Sequence, residues 1–139
     1  MGSVRQQINI DASARSVWKQ LTTAEGLEQW WADDARVDAS VGGRITLKNI
    51  GDDGEPVEER GTFLEARPTR KLEIKWDPGS PSPTAGSRVR FQVARDGGET
   101  RVAVIHTGPF LDEEEVFKAF NKEWRSALRA LRSSLEDDS

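Results

Sequence analysis

The sequence contains no cysteine and no tyrosine, and only one histidine and one methionine. Without cysteine the chain cannot form disulfides, thiolate nucleophiles or cysteine-ligated metal sites, and such a composition is typical of a cytoplasmic protein. Long apolar runs are also missing, whereas a run of about 20 residues is needed to cross a bilayer. Residues 1–10 lack the apolar core of a signal peptide. We therefore expect a cytoplasmic protein with no membrane span.

Motifs for common chemistry are missing as well. The acidic pairs at 33–34 and 52–53 lack the spacing of a calcium loop, and the sequence has no glycine-rich phosphate loop and no nucleophile elbow. We therefore predict no metal, no cofactor and no catalytic residue that a motif identifies. The net charge of −4 argues against a nucleic-acid partner. Arg125, Arg129 and Arg132 cluster in the last predicted helix, where we interpret them as complementing the helix dipole and aiding solubility.

The 139 residues are expected to form one domain, 1–139, that begins with a strand and two short helices. Alternation over residues 4–10 predicts the strand. Asp11 or Ser13 is predicted to cap the first helix. The second helix is predicted to begin at Thr22, with Glu25 three residues later completing a capping box.

A series of strands is predicted for the middle of the chain. Apolar residues alternate with polar ones in each, most clearly over residues 71–77, 88–93 and 102–106. The segment Pro78 to Ser87 is rich in proline, glycine and serine and is predicted to be a loop. Asp96-Gly97-Gly98 is the clearest signal for a tight hairpin turn. Hairpin turns between successive strands favour an antiparallel sheet.

A long C-terminal helix gives the clearest pattern. Asp112 is predicted to cap it. One apolar stripe then recurs every three or four residues through Phe117, Phe120, Trp124, Leu128, Leu131 and Leu135. The apolar face of the sheet must cover this stripe. The sequence thus predicts an α+β fold, a curved antiparallel sheet of about six to seven strands wrapped around the C-terminal helix, with space left where the two do not meet.

Several motifs together resemble a known family. They are Ile10-Asp11-Ala12, Val17-Trp18, Leu21-Thr22, Gly26-Leu27-Glu28-Gln29-Trp30-Trp31, Val41-Gly42-Gly43, Gly61, Pro68, Leu72, Trp76, Thr100, Val102, His106-Thr107-Gly108 and the spacing Trp124…Leu128…Leu131. The chain is similar over nearly its whole length to the START-like, SRPBCC superfamily, in the branch of homologues of the activator of heat-shock protein 90 ATPase. It departs at Ser13, where proline is frequent, and at Glu123, where glycine commonly precedes the helix tryptophan.

The resemblance implies a helix-grip fold with a hydrophobic cavity but no single activity. Members of the superfamily include lipid carriers, hormone receptors, polyketide cyclases and chaperone regulators, and a shared fold is a weak guide to function. The loss of a small residue at Glu123 is expected to change local packing or the cavity volume.

His106 is the one histidine, and its position in the last strand places it on the inward face with Val102 and Val104. A buried imidazole there can orient a ligand carbonyl or act as an acid or base. The alternative is a core histidine hydrogen-bonded to the backbone, which we favour because no partner is readable.

The aromatic residues indicate ligand binding, although most serve as ordinary core. Apolar walls with a few polar groups are typical of ligand pockets, and buried indole N–H groups need partners. The candidate ligand-binding residues are Trp31, Phe63, Trp76, Phe91, His106, Phe110, Phe117, Phe120 and Trp124.

Three functions remain open. We favour binding of a small apolar ligand (a lipid, an aromatic or a polyketide-like molecule) by a monomer or weak dimer. The second is a protein-interaction module such as a chaperone partner, and the third is a cyclase or aromatase that uses His106.

Overall fold

The computed structural model describes residues 2–51, 53–79 and 83–136. Within these ranges the predicted order of one strand, two short helices, further strands and one long helix is confirmed. The elements are β1 (Ser3–Ile10), α1 (Ala14–Thr22), α2 (Ala24–Trp30), β2 (Asp34–Val37), β3 (Arg44–Ile50), β4 (Pro56–Arg67), β5 (Lys71–Trp76), β6 (Arg88–Asp96), β7 (Glu99–Thr107), a 3-10 turn (Pro109–Asp112) and α3 (Glu114–Glu136).

The strands form one antiparallel sheet in the order β1-β7-β6-β5-β4-β3-β2. Strands β2 to β7 therefore follow one another as neighbours, and β1 pairs with β7 along its whole length. The tight turn predicted at Asp96-Gly97-Gly98 joins β6 to β7, with Gly97 in the left-handed region at a φ of 65°. The predicted α+β fold with a long C-terminal helix over an antiparallel sheet is confirmed, and this arrangement is the helix grip.

The inward face of the sheet supplies most of the core. Alternate residues of each strand point to this face, as the period of two requires. A register irregularity between Phe63 and Glu65 interrupts β4, and such bulges bend a strand. The sheet residues buried on this face include Val4, Ile10, Ile45, Leu47, Phe63, Leu72, Ile74, Trp76, Val89, Phe91, Val102 and Val104.

The two short helices begin at hydroxyl caps. Ser13 caps α1, and its Oγ accepts a hydrogen bond from Ser16 N at 3.1 Å. The predicted start of α2 at Thr22 is wrong, because Thr23 is its N-cap and accepts from Gly26 N at 3.0 Å. Thr22 instead ends α1. The capping box that was expected from the spacing of Thr22 therefore does not form there.

The start of α3 also differs from the prediction. Asp112 lies in the 3-10 turn rather than at the helix cap. Glu113 O accepts a helical hydrogen bond from Phe117 N at 2.9 Å, so the helix begins one residue later than expected. The Asp112 carboxylate accepts instead from Gly2 N at 2.5 Å, which ties the start of β1 to the turn.

The long helix covers only part of the inward face. It buries Trp124, Leu128 and Leu131, as the predicted stripe requires, and it packs chiefly against β1, α2 and the 3-10 turn. Among the described residues it makes no comparable contact with β3, β4 or β5. A gap remains between α3 and that side of the sheet, because residues of β3, β4 and β5 line a cavity there. None of the described helices is long and apolar enough to cross a membrane.

The arginines of α3 do not lie where the helix dipole acts. The last turn of α3 contains no basic residue. Because the dipole effect falls off within the last turn, our interpretation of Arg125, Arg129 and Arg132 as dipole partners is wrong. Arg125, Arg129 and Arg132 instead line a shallow groove beside β1.

Candidate functional site

A cavity of about 370 Å³ occupies the gap between the sheet and α3. Its wall combines large aromatic rings with polar and acidic side chains. The lining residues are Trp31, Asn49, Ile50, Glu59, Trp76, Thr84, His106, Phe120, Glu123, Trp124 and Ala127. Ile50 and Glu123 are exposed and mark the mouth of the cavity. The cavity thus lies on the side of the sheet that α3 leaves uncovered.

A chain of hydrogen bonds passes through His106 at the inner end of the cavity. Trp124 Nε1 donates to His106 Nδ1 at 3.0 Å, and His106 Nε2 lies 2.8 Å from Ser87 Oγ. Ser87 Oγ in turn donates to Thr84 O at 2.5 Å. These contacts link β7, α3 and the end of the loop before β6.

The pattern of donors fixes the state of the imidazole. Because Trp124 Nε1 is always a donor, His106 Nδ1 must be the acceptor, and the ring proton then lies on Nε2 and is donated to Ser87 Oγ. Burial lowers the pKa of His106 to about 4. The histidine is therefore neutral near neutral pH, and both of its nitrogens already have partners. Its partners are two side chains rather than the backbone that our preferred interpretation named.

Trp76 differs from the other tryptophans of the cavity. It is fully buried, yet its Nε1 has no hydrogen-bond partner among the described residues. Gly61 of β4 pairs with Trp76 of β5. A Cβ atom at Gly61 would lie only 2.8 Å from Trp76 Cε3, so the indole packs directly on the glycine. Nε1 is on the opposite edge of the indole from Cε3. A buried donor without a partner costs free energy, and a ligand or water acceptor in the cavity would remove that cost.

The polar part of the wall comes from β3, β4, the loop and α3. Glu59 accepts a short hydrogen bond from the Thr84 hydroxyl. The side chain of Asn49 is held in place by two bonds, one accepted from Asp33 N at 3.0 Å and one donated to Trp31 O at 3.3 Å. The wall is consequently less apolar than the sequence led us to expect.

Five of the nine candidate residues lie in the wall of the cavity. They are Trp31, Trp76, His106, Phe120 and Trp124. The structure brings their rings close together: the centroids of Trp31 and Trp124 are 5.4 Å apart, and those of Trp31 and Trp76 are 6.0 Å apart.

The other four candidates lie behind the wall or beside it. Phe63 and Phe91 are fully buried in the core. Phe110 lies in the 3-10 turn beside the cavity wall, with its ring centroid 4.9 Å from that of Phe120. Phe117 is half-buried against the core. None of these four lines the cavity.

Sequence reasoning missed six lining residues, namely Asn49, Ile50, Glu59, Thr84, Glu123 and Ala127. For two of the six, Glu59 and Ala127, the sequence contains a signal that they face the cavity. Glu59 has the same parity in β4 as Gly61 and Phe63, and so faces inward. Ala127 follows Trp124 and Phe120 at helical spacing. The departure at Glu123 places a carboxylate at the mouth, whereas a glycine would leave the mouth open.

Among residues 2–51, 53–79 and 83–136, no three histidine, aspartate or glutamate side chains are grouped to hold a metal ion.

Comparison with solved structures shows the same fold in proteins of low identity. The Aha1 dimer from Colwellia psychrerythraea is 23% identical, with 98% of this chain and 97% of that chain covered and a TM-score of 0.81. For an AHSA1-like protein from Aeromonas hydrophila the identity is 20%, the coverages are 97% and 94%, and the TM-score is 0.76. CalU16 from Micromonospora echinospora is 22% identical, with coverages of 93% and 73% and a TM-score of 0.72. At such identities the similarity shows the fold alone.

No curated protein matches the sequence. A family match, in contrast, covers most of the chain: residues 11–136 match the family described as Activator of Hsp90 ATPase homolog 1-like protein. This match agrees with the motifs that resemble the START-like superfamily and with the observed helix grip. The chain therefore belongs to the family of Activator of Hsp90 ATPase homolog 1-like proteins.

Proposed function

We propose that this protein binds a small apolar or aromatic molecule in the cavity between the sheet and α3. The observation that carries the proposal is the fully buried Trp76, whose Nε1 lacks a partner among the described residues in the wall of that cavity. The volume of about 370 Å³ is within the range of small-molecule sites. A ligand that places an oxygen near Nε1 would both fill the space and satisfy the donor.

The energetics favour a ligand with one polar group. Burying about 200 Å² of apolar ligand surface contributes roughly 5 kcal/mol before the costs of association. Micromolar affinity needs about 8 kcal/mol, so added polar contacts are required. Trp76 Nε1 is suited to supply one of them. Trp124 Nε1 is not, because it donates to His106.

Catalysis through His106 is not part of the proposal. A general base needs an accessible lone pair, and Trp124 already donates to the Nδ1 lone pair of His106. Both ring nitrogens therefore act in holding α3 and the end of the loop to β7. The Colwellia relative is a dimer, and for this chain we propose a monomer or weak dimer as the binding unit.

Filling the cavity from the helix is expected to block binding. Ala127 is half-buried in α3 and lines the cavity, so Ala127→Phe places a ring in the ligand space. We expect the affinity for naphthylethanol, a neutral aromatic alcohol, to fall at least about tenfold, measured by isothermal titration calorimetry. Ala119→Phe is the matched control, because Ala119 is exposed on the same helix. Unchanged affinity in Ala127→Phe would contradict the proposed site.

A further inference from the structure

Five basic residues form one stripe along α3. Their spacings of four, three, four and three residues place them on one face of the helix over about four turns. The members of this basic stripe are Lys118, Lys122, Arg125, Arg129 and Arg132. Like charges at these spacings repel one another and slightly destabilise a helix. Because the chain has a net charge of −4, its composition does not account for this concentration of positive charge.

Most of the basic stripe has no acidic partner. Lys118 pairs with Glu114 at 3.3 Å where the stripe begins, and both side chains are exposed. The other four members form no ion pair with any of the described residues. A surface that serves solubility alone generally mixes charges of both signs. The stripe therefore presents positive charge that the described part of the molecule leaves unbalanced.

The arginines of the stripe border a groove that reaches the edge of β1. This edge groove has a volume of about 350 Å³ and is lined by Gln6, Gln7, Ile8, Arg125, Leu128, Arg129 and Arg132. Neighbouring side chains of a strand point to opposite faces, so Gln6 and Ile8 face α3 whereas Gln7 faces outward. A groove lined by both faces of β1 extends to the edge of the strand between them.

That edge of β1 has no partner strand among the described residues. The strand lies at one end of the sheet and pairs with β7. In an antiparallel pair, alternate residues direct their backbone N–H and C=O groups away from the partner strand. Over residues 3–9 no described residue forms a hydrogen bond with these outward groups. Neither a proline nor a register shift protects the edge, so it is suited to pair with an added strand.

The geometry of the basic stripe matches an extended acidic segment. Side chains on one face of a strand recur about every 6.7 Å, and helix residues four apart are separated by a rise of about 6 Å. Carboxylates on alternate residues of an added strand would thus lie at nearly the spacing of Arg125 and Arg129. A second copy of this chain fits less well, because pairing through β1 about a two-fold axis would bring two basic stripes together.

We propose that the edge groove binds an extended acidic segment of a partner protein. The segment pairs with β1 as an added strand and places its carboxylates against the guanidinium groups of α3, which bind carboxylates well. The edge groove and the cavity under α3 share no lining residue. This interaction is therefore separate from the proposed binding of a small molecule.

Two octapeptides test the charge requirement by isothermal titration calorimetry with the full chain. In the first, glutamate alternates with threonine, which favours an extended backbone. In the second, glutamine replaces every glutamate. We expect the acidic peptide to bind at least about tenfold more tightly than the neutral peptide, and added salt to reduce that difference.

A double variant tests the position of the site. Arg125→Gln combined with Arg129→Gln should weaken binding of the acidic peptide at least about tenfold, and an unchanged Tm shows that the variant keeps its fold. Arg36→Gln combined with Arg95→Gln is the matched control, because both residues are exposed, lie outside the edge groove and change the net charge equally. Equal losses of affinity in the two double variants would overturn the proposal, since the net charge alone would then explain binding.

Amide hydrogen exchange tests the added strand. With the acidic peptide bound, we expect slower exchange at the outward amides of β1 and no change in β2, the strand at the other end of the sheet. Unchanged exchange throughout β1 while the peptide binds would contradict strand addition. Absence of saturable binding would overturn the whole interaction, and tighter binding of an oligothymidylate of similar length would overturn the choice of an acidic protein segment. Neither result would affect the small-molecule proposal, which naphthylethanol tests separately.

Discussion

Replacing Trp124 with alanine is expected to lower the free energy of unfolding by about 3–5 kcal/mol, the usual cost of deleting a large buried ring. Trp124 is almost fully buried, and its ring lies 5.4 Å from that of Trp31 and 5.8 Å from that of Phe91. The change would also leave His106 Nδ1 without its donor. One side chain thus holds α3 to both the aromatic cluster and β7.

Urea unfolding of two variants separates the packing from the hydrogen bond. Trp124→Phe keeps a ring and removes Nε1–H, so we expect it to cost only about 1–3 kcal/mol. Trp124→Ala should cost more than Trp124→Phe because it also creates a cavity. An alanine variant within about 1 kcal/mol of the unmodified protein would contradict this view of how α3 is held.

A decrease in stability with falling pH is expected from His106. Its pKa is lowered from 6.5 to about 4 in the folded protein because the side chain is buried. Below pH 6.5 the unfolded chain therefore binds a proton that the folded chain does not bind. The stabilisation is fully present above pH 6.5 and is lost as the pH falls toward 4, by about 3 kcal/mol in total.

The measurement compares the free energy of unfolding at pH values of about 7, 6 and 5, where most carboxylates remain ionised. His106→Asn is the control, since it keeps a polar side chain that does not titrate. We expect the unmodified protein to lose stability over this range and the variant to lose much less. Equal pH dependence in the two proteins would show that His106 is accessible to protons in the folded state.

The architecture was predictable because its signals are local and repeated. Alternation over β5, β6 and β7 gave both the strands and their inward faces, and the turn at Asp96-Gly97-Gly98 gave one hairpin directly. The apolar stripe of α3 required a partner surface, which only the sheet offered. His106 was placed correctly on the inward face by parity with Val102 and Val104.

The helix starts and the shortest strand were less predictable. Thr22 and Thr23 are both good caps, and only the fold decides which side chain reaches the next helix. Strand β2, Asp34–Val37, has four residues and pairs only with β3 at the edge of the sheet. A segment that short gives too few alternations to be recognised.

The composition of the cavity wall depended on tertiary structure. An inward-facing residue lies in the core where α3 covers it and in the cavity where α3 does not. Phe91 and Trp76 have the same parity signal, yet Phe91 is in the core and Trp76 lines the cavity. The predicted wall consisted of aromatic rings and His106, so it did not include the acidic residues. Glu59 and Glu123 come from distant parts of the chain, and only the fold brings them into one wall.

The indole N–H signals of the tryptophans in a ¹H–¹⁵N spectrum test the central claim most directly. During titration with naphthylethanol, the Trp76 signal should move saturably, because its Nε1 gains a neighbour. The Trp30 signal is the internal control and should stay in place. Trp30 does not line the cavity, and its Nε1 donates a hydrogen bond of 3.0 Å to Gln20 O. A probe that binds while the Trp76 signal remains stationary would contradict the account.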